Sequence, residues 1–324
     1  MSPLLNTSMK ISQIKNRMSI KIISTGLQTT IQDLGRRQWS HMGVPESGAA
    51  DKFSFKLANF LLGKAINSPT IECTLTGPSL KFLKPLFVVI TGADMKPKIN
   101  GKSIQINKVI RVKNDDLLSM SGCAKGCRSY IAFSENLVTE RFLDSFSTYI
   151  PAKLGGFGGL PLNVGSIIST EPSDFDITVS EKLDLSVLDL FTNDWKLKVF
   201  EGPEFNILSC KSKKDIFKLS YIVSNDSNRM GNRLRGERME LTNNKHMVSC
   251  PMNIGTVQCP KNGLPIILGC DSQTLGGYPR ILQISEVNFP YIGQLRPLDR
   301  VSFRKTSINE ARKELKNQAQ LFPF

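Results

Sequence analysis

The chain has 324 residues, 40% of them hydrophobic and 8% aromatic, which suffices for one large or two ordinary domains with packed cores. No apolar run approaches the roughly 20 residues that a membrane-spanning helix needs, so no membrane partner is expected. The net charge of +14 is scattered, without a basic helix or interleaved aromatic residues, which favours a solvated basic surface over nucleic-acid binding.

Cysteine usage indicates the compartment and argues against a metal site. Seven cysteines are spread through the chain, and the N-terminus lacks the pattern of a secretory signal, so we expect reduced thiols and a cytoplasmic protein. Cys123 and Cys127 are separated by three residues, not by the two of common zinc and redox motifs, and only His41 and His246 are available as histidine ligands. We therefore expect no metal site.

The first half of the sequence predicts one helix followed by many short strands. A polar leader over residues 1–18, expected to be disordered, precedes an alternating strand at 19–24. Apolar spacing over 51–63 predicts an amphipathic helix with Asp51 as N-cap and Gly63 just past its end. Turn-bounded β-branched runs then predict strands at 70–75, 86–91, 104–106, 109–112, 117–120 and 129–133.

The second half repeats this β-rich style. A glycine-rich loop over 151–165 is long enough to be functional, a strand follows at 166–169, and the acidic segment 172–194 is interpreted as a linker. Residues 306–324 predict a Ser/Thr-capped helix with a frayed end. The second block predicts strands at 195–201, 219–223, 238–241, 254–258, 264–269, 281–284 and 300–303. The expected organisation is a domain over 19–194 including the linker, a domain over 195–305, and the C-terminal helix.

Gln32-Asp33-Leu34-Gly35-Arg36 is the first segment that could carry chemistry. Asp33 stands three residues before Arg36 and can orient it, and a free guanidinium fork suits a carboxylate or phosphate. A local salt bridge between the two side chains explains the pattern equally well.

The second segment, residues 41–51, begins at His41 and includes Ser47 and Asp51. Its glycines, proline and alanines predict a compact loop that feeds a helix N-terminus, where free N–H groups can bind an anion. The alternative is that Asp51 is only a cap, although capping alone does not explain the small residues before it.

The third segment, residues 225–236, carries Arg229 and Arg233 four positions apart. On a helical turn the two arginines would share one face, a mildly unfavourable arrangement that an anionic substrate or a partner carboxylate would offset. A solvated basic turn remains the alternative.

The fourth segment, "GCDSQTLGGYPR" at 269–280, follows an apolar run that predicts a buried strand. It gathers Asp271, Gln273, Thr274 and Tyr278 just past that strand, where a rigid scaffold commonly presents a binding loop. An ordinary strand-to-turn transition explains its two glycines but not this set of polar side chains.

Taken in chain order, the stretches "GLQTTIQDLGRRQWSHMGVPESGAADKFSFKLANFLLG", "IECTLTGPSLKF", "STYIPAKLGGFGG", "NRMGNRLRG" and "DSQTLGGYPRI" closely resemble one family. It is the Kip-type, biotin-dependent carboxyltransferase-like family, also called allophanate hydrolase subunit 2, and the best-matching members are C subunits of bacterial 5-oxoprolinase. The resemblance covers about residues 20–305. It implies a mainly β fold with a few helices, arranged as two cyclophilin-like β-barrel domains.

The resemblance also implies a function. In such systems a C subunit acts with a Kip-type B subunit and a LamB/YcsF-like A subunit to open the lactam of 5-oxo-L-proline to L-glutamate. The resemblance implies that the complex uses and binds ATP, and the sequence leaves open whether ATP contacts this chain or a partner. The alternatives are a urea carboxylase-like component, which requires biotin on a partner, and a regulatory module that antagonises a Kip-type kinase inhibitor.

These expectations assign roles to the motif residues. We expect Arg36, Arg229 or Arg233 to hold an anionic group, and Gln273, Thr274 and Tyr278 to hydrogen-bond a small amide substrate. Asp33 or Asp271 would orient these groups or act as a base. Substrate-binding roles are also expected for His41, Ser47 and Asp51. The motifs are expected to converge on one cleft.

Overall fold

The computed structural model describes residues 18–173, 191–242 and 247–321. Most of the predicted leader, residues 174–190 of the predicted linker, His246 and the last three residues of the chain lie outside these ranges. No helix of the described ranges is long and apolar enough to cross a membrane.

Two antiparallel sheets form the first domain. One has the strand order β11-β12-β1-β4-β9-β6-β7 and the other β2-β3-β10-β5-β8, and side chains such as Ile22, Phe82 and Ile131 fill the core between them. The strands are β1 (Met18–Ser24), β2 (Gln28–Gln32), β3 (Thr70–Thr74), β4 (Ser79–Phe82), β5 (Leu86–Gly92), β6 (Lys98–Ile99), β7 (Lys102–Ser103), β8 (Ile110–Val112), β9 (Leu117–Ser119), β10 (Arg128–Phe133), β11 (Asn136–Leu137) and β12 (Ile167–Glu171).

Helix α1 (Lys52–Leu61) packs on the outer face of the second of these sheets, because β10 alternates between two buried faces. Asp51 caps the helix by accepting hydrogen bonds from the N–H groups of residues 53 and 54, both at 3.0 Å. Gly63, with φ of 65°, ends it in a left-handed conformation. The N–H groups of Gly63 and Lys64 donate to the carbonyls of residues 60 and 59, as in a Schellman motif. The predicted helix, cap and terminator are confirmed.

The second domain is a closed barrel with the order β13-β20-β17-β18-β15-β14-β21, and β16 and β19 form a separate ribbon. Alternation along β13 places Trp195, Leu197 and Val199 in the barrel core. The elements are β13 (Asp194–Glu201), α2 (Cys210–Asp215), β14 (Ser220–Val223), β15 (Gly231–Arg235), β16 (Cys250–Pro251), β17 (Thr256–Gln258), β18 (Ile266–Leu268), β19 (Leu275–Gly276), β20 (Arg280–Ile284), α3 (Phe289–Gln294), β21 (Arg300–Lys305) and α4 (Ile308–Leu321).

The prediction of a mainly β fold of two cyclophilin-like barrel domains with a few helices is confirmed. Two predicted strands are wrong. Residues 104–106 form the connection after β7, and residues 238–241 are irregular except for one isolated bridge at Leu241. The predicted domain boundaries stay predictions, although the two main cores draw on residues 20–168 and 195–303.

Candidate functional site between the two domains

Arg229 is the centre of a buried polar network that joins the two domains. It lies in the turn just before β15, and its side chain is only 5% exposed. The guanidinium donates to both carboxylate oxygens of Asp271 at 2.8 and 3.0 Å, to Glu72 Oε1 at 2.5 Å and to the carbonyl of Gly48 at 2.6 Å. Burial acts to lower the pKa of Arg229, but the neighbouring carboxylates outweigh it and raise that pKa. All three nitrogens therefore already have partners.

Glu72, on β3 of the first domain, connects Arg229 to helix α1. Its Oε2 accepts hydrogen bonds from the N–H of Ala50 at 2.9 Å and from the Tyr130 hydroxyl at 2.8 Å. That hydroxyl in turn accepts from the N–H of Asp51 at 2.8 Å. Burial, followed by the charge of Glu72, raises the pKa of the Tyr130 phenol well above its usual value, so Tyr130 acts as a neutral donor.

Gln294, at the end of α3, ties the second domain to the same network. Its Oε1 accepts from the N–H groups of Cys127 and Arg128, and its Nε2 donates to Asp51 at 2.6 Å. Burial raises the pKa of Asp51, while hydrogen bonds from Ser54 and Gln294 oppose that shift. Asp51 is therefore both the helix cap and a contact between domains.

Ser47 and Asp271 meet directly across the interface. The Ser47 hydroxyl donates to Asp271 Oδ1 at 2.7 Å, and the Ser47 N–H donates to the carbonyl of Cys270 at 2.9 Å. Ser47 is fully buried and has a left-handed backbone with φ of 59°. Such a conformation costs of order 1–3 kcal/mol outside glycine and is concentrated at functional sites. The contact with Asp271 offsets part of that cost.

Asp33 and Arg36 are buried together but do not form a contact ion pair. Asp33 is occupied by hydrogen bonds from Ser145, Ser147 and the N–H groups of residues 35 and 146, at 2.5 to 2.8 Å. Arg36 donates through Nη2 to the carbonyl of Ser147. The alternative of a local Asp33–Arg36 salt bridge is therefore wrong, and Asp33 instead holds the segment to which Arg36 is attached.

A cleft of about 710 Å³ opens beside this network, between the domains. Arg229 and Cys270 contribute to its wall from the second domain, and Glu46, Lys52 and Lys56 from the first. Burial, followed by repulsion from Arg37 and Lys52, lowers the pKa of Lys56. Domain interfaces commonly hold small-molecule sites, and pockets for such ligands measure about 300–1,000 Å³.

A second groove of about 540 Å³ lies on the second barrel, and other predicted residues line it instead. Gln273, Tyr278 and Arg233 contribute to its wall, together with the buried Gln258, which accepts a hydrogen bond from Gln273 at 3.3 Å. Tyr278 is about half exposed. The structure thus brings Ser47, Asp51, Arg229 and Asp271 into one buried network beside the interdomain cleft, whereas Gln273, Tyr278 and Arg233 line a separate groove. The substrate-binding and catalytic roles of these residues stay predictions.

Two further predicted residues stand apart from both cavities. His41 is exposed in a single 3-10 turn, where Nδ1 contacts the carbonyl of Gln38 at 2.9 Å and the ring stacks on Trp39. Thr274 is half-buried, and its carbonyl accepts from the N–H of Met252 at 2.9 Å. Neither side chain reaches the interdomain network through the contacts seen, and their substrate-binding roles stay predictions.

Arg229 and Arg233 do not share a helical face. Gly231–Arg235 is strand β15, in which Arg233 and Arg235 are exposed while Leu234 packs in the barrel core. Strand pairing with β14 and β18 overrides the helical spacing, because it buries the apolar side of this segment. The predicted helical turn is wrong, and only Arg229 faces the other domain.

Sequence reasoning missed four residues of the network: Glu72, Arg128, Tyr130 and Gln294. A lone carboxylate within the apolar run of β3 was a usable signal for Glu72, because charged side chains are rarely buried without a partner. The other three residues carry no local sign of their contacts. No group of three or more potential metal ligands occurs in the described ranges.

Comparison with known proteins agrees with this architecture. Residues 42–305 match the family model of the carboxyltransferase domain, subdomains A and B. The C subunit of 5-oxoprolinase from Escherichia coli (strain K12) is 29% identical over 303 residues, which cover 94% of this chain and 96% of that protein. The C subunit of the enzyme from Haemophilus influenzae is 30% identical, with 91% and 93% covered.

A large fungal enzyme contains a similar domain. The crystal structure of the Kluyveromyces lactis urea amidolyase superposes with a TM-score of 0.86 at 28% identity, over 94% of this chain. The chain spans only 20% of that protein. From its own residues, its two-barrel fold and these matches, the chain belongs to the carboxyltransferase domain family, subdomains A and B.

Proposed function

We propose that the chain is the C subunit of an ATP-dependent 5-oxoprolinase, which opens the lactam of 5-oxo-L-proline to L-glutamate. The supporting observation is the end-to-end match with two 5-oxoprolinase C subunits, over more than nine-tenths of both chains. The urea amidolyase matches as well, but only through one-fifth of its length. A C subunit works with other subunits, which we propose to be a Kip-type B subunit and a LamB/YcsF-like A subunit in the cytoplasm.

The interdomain site suits a small polar amide. Opening the lactam places negative charge on the carbonyl oxygen in the transition state, which preorganised donors stabilise. The cleft beside Arg229 is large enough for such a substrate, and Lys52 and Lys56 in its wall carry ammonium donors. Because both oxygens of Asp271 are engaged by Arg229 and Ser47, we assign Asp271 a positioning role. ATP is assigned to the complex, and no residue of this chain to ATP.

Reconstitution tests the proposal directly. ATP-dependent release of glutamate from 5-oxo-L-proline is measured with the three purified subunits together and with each one omitted. Omission of this chain is expected to reduce the rate to background. An unchanged rate without it would contradict the proposal, even if the chain binds its partners tightly.

Asp271→Asn gives a sharper version of the same assay. The substitution keeps the shape of the side chain. It removes the negative charge that pairs with Arg229 and that strengthens the hydrogen bond from Ser47. We expect glutamate release to fall at least tenfold while complex formation persists, with Asp226→Asn, an exposed carboxylate on the far groove, as the matched control. Full activity of Asp271→Asn would show that the charge of Asp271 in the interdomain network has no role in the reaction.

Biotin-dependent carboxyl transfer is the second candidate, favoured by the high structural similarity to a urea amidolyase domain. It requires a partner that carries carboxybiotin. Transfer of labelled bicarbonate to urea in the presence of a biotin carboxylase and a biotin carrier, with no glutamate release from 5-oxo-L-proline, would support it. A purely regulatory module predicts tight binding to a Kip-type partner and no effect of this chain on either reaction.

A further inference from the structure

Arg36 is a buried arginine whose hydrogen-bonding capacity is only partly used. The residue is 1% exposed, and Nη2 donates to the carbonyl of Ser147. Nε and Nη1 are buried and have no hydrogen-bond partner among the residues that the structure describes. A guanidinium stays protonated in proteins, and buried donors without acceptors are costly. The fold therefore maintains an unsatisfied cation at this position.

The nearby carboxylates do not accept hydrogen bonds from Nε or Nη1 of Arg36. Asp33 is occupied by four donors from its own domain, and Asp271 by Arg229 and Ser47. Burial lowers the pKa of Arg36, and the charges of Asp33 and Asp271 oppose that shift from a distance. Arg229 is saturated and Arg233 is exposed on a strand. Of the three arginines expected to hold an anion, only Arg36 is buried with donors to spare.

The glycine-rich loop is built to lie against this guanidinium. Gly155 has φ of 64°, and a Cβ at this position would approach the carbonyl oxygen of Ser147 to 2.5 Å and Arg36 Nη2 to 3.0 Å. A side chain there would push the loop away from Arg36. The loop backbone at Gly155 thus lies directly against Arg36.

Tyr149 is a neutral donor whose phenol interacts electrostatically with Arg36 and Asp271. The side chain is half-buried, and its backbone pairs with Leu154 at the base of the loop. Burial, followed by the charge of Asp271, raises the pKa of the Tyr149 phenol, while Arg36 acts in the opposite direction. The phenol thus lies in the field of both charged groups and keeps its proton.

We propose that Arg36, covered by the glycine-rich loop and flanked by Tyr149, is the receptor for the carboxylate of a small amide substrate. A guanidinium presents its N–H groups as a planar fork that matches a carboxylate, and the Tyr149 hydroxyl can donate to the same ligand. The site deepens the proposed function and rests on it, because 5-oxo-L-proline is a lactam that carries one carboxylate.

Direct binding tests the assignment independently of turnover. The affinities of 5-oxo-L-proline and of 2-pyrrolidinone, the same lactam without the carboxylate, are measured by ligand-observed NMR for the full chain alone and in the reconstituted complex. Arg36→Gln is expected to weaken binding of 5-oxo-L-proline about 10- to 100-fold, as expected for loss of hydrogen bonds to a charged group, and to leave 2-pyrrolidinone unchanged. Tyr149→Phe should weaken it about fivefold.

Matched variants separate this role from a structural one. Arg111→Gln, at an exposed arginine of β8, should bind as the wild type does. Arg36→Lys keeps the charge but not the planar fork of N–H groups. Its affinity for 5-oxo-L-proline should lie between those of the wild type and Arg36→Gln. Because Arg36→Gln removes an unsatisfied buried charge, its melting temperature should be no lower than that of the wild type.

The outcomes distinguish the site from the function. Equal binding of 5-oxo-L-proline by wild type and Arg36→Gln, equal affinity of the wild type for both lactams, or no Arg36-dependent binding in either preparation would overturn the assignment. If Arg36→Gln weakens binding but omission of the chain leaves glutamate release unchanged, the site stands and the proposed function fails. If glutamate release needs the chain but the KM for 5-oxo-L-proline is unaffected by Arg36→Gln, the proposed function stands and the site assignment fails.

Discussion

Arg229 and Arg36 show how two buried arginines of one interface differ in their hydrogen bonding. Arg229 neutralises Asp271 and Glu72 at contact distance, and each of its nitrogens has a partner. Arg36 has one hydrogen bond and two unsatisfied nitrogens. A saturated buried pair favours a structural role, whereas an unsatisfied buried cation is maintained at a cost to stability that ligand binding would relieve.

Replacement of Arg229 should therefore be strongly destabilising. Arg229→Gln leaves the buried Asp271 without its cation and leaves Glu72 with only the more distant Arg128, at 3.5 Å. Breaking a buried pair in this way costs about 3–5 kcal/mol. We expect a loss of this size in the free energy of unfolding in urea. Arg233→Gln, on the exposed side of β15, should change it by less than about 0.5 kcal/mol. Similar small losses for both variants would show that Arg229 does not stabilise the interface.

Lys64 provides a pH-dependent test outside the site. Its ammonium donates to the carbonyls of Phe133 and Glu135 at 3.0 and 2.8 Å, and burial lowers its pKa from 10.5 to about 8. Between these two pH values the unfolded chain binds more protons than the folded one. Below about pH 8 the buried charge of Lys64 therefore lowers the free energy of unfolding. This penalty disappears as the pH rises from about 8 to 10.5.

Comparison of Lys64→Met with wild type isolates this effect. From pH 7 to pH 10 the wild type should gain roughly 2 kcal/mol of unfolding free energy relative to Lys64→Met, because only the wild type loses the cost of a buried charge. Lys98→Met, at an exposed lysine of β6, should show no such relative change. A parallel pH dependence of wild type and Lys64→Met in urea titrations would contradict the prediction.

At the scale of elements, local signals predicted those structures whose hydrogen bonds are also local. The cap, apolar face and terminating glycine of α1 are all encoded within residues 51–63. No strand is predicted from the sequence at β2, because its polar threonines become buried only by pairing with β3, about 40 residues away. The wrong strand at 238–241 shows the converse, since a segment that alternates polar and apolar residues stays irregular when no strand pairs along it.

The glycine-rich loop yields a prediction at the same scale. Gly155→Ala adds a methyl group 2.5 Å from a carbonyl oxygen in a left-handed conformation, whereas Gly158→Ala adds one with φ of 62° and no atom within 4 Å. Both variants should lose about 1–2 kcal/mol of stability for the backbone conformation. Only Gly155→Ala should lose more and also bind 5-oxo-L-proline more weakly, because it displaces the loop from Arg36. Equal effects of both substitutions, in urea unfolding and in binding, would argue against that contact.

At the scale of the molecule, the site arises from pairings that no sequence window contains. Arg229 meets Glu72 across 157 positions, and Ser47 meets Asp271 across 224. The motif order along the chain predicted that such segments converge, but it could not separate the interdomain network from the groove that holds Gln273 and Tyr278. The network residues and the groove residues of the second domain both lie near strand ends. Only the closure of the barrel decides which side of this domain each group faces.

The network should make the two domains unfold as one unit. Gln294 is fully buried and spans the interface through Cys127, Arg128 and Asp51. Gln294→Leu therefore leaves two N–H groups without their partner and removes one of the two hydrogen bonds that Asp51 Oδ2 accepts. Each unsatisfied buried group costs about 1–3 kcal/mol, and more when it is charged. That loss weakens the coupling between domains more than it weakens either core.

Two probes, one in each domain, can detect the uncoupling. Trp195 fluorescence, recorded in a Trp39→Phe background, follows the second barrel, and thiol labelling of the buried Cys73 follows the first domain. In wild type both should change at the same urea concentration, and in Gln294→Leu the two midpoints should separate. Gln283→Leu, which removes hydrogen bonds confined to the second barrel, should lower stability without separating them. Coincident midpoints in Gln294→Leu would mean that the apolar contacts between the domains, and not this network, make them fold together.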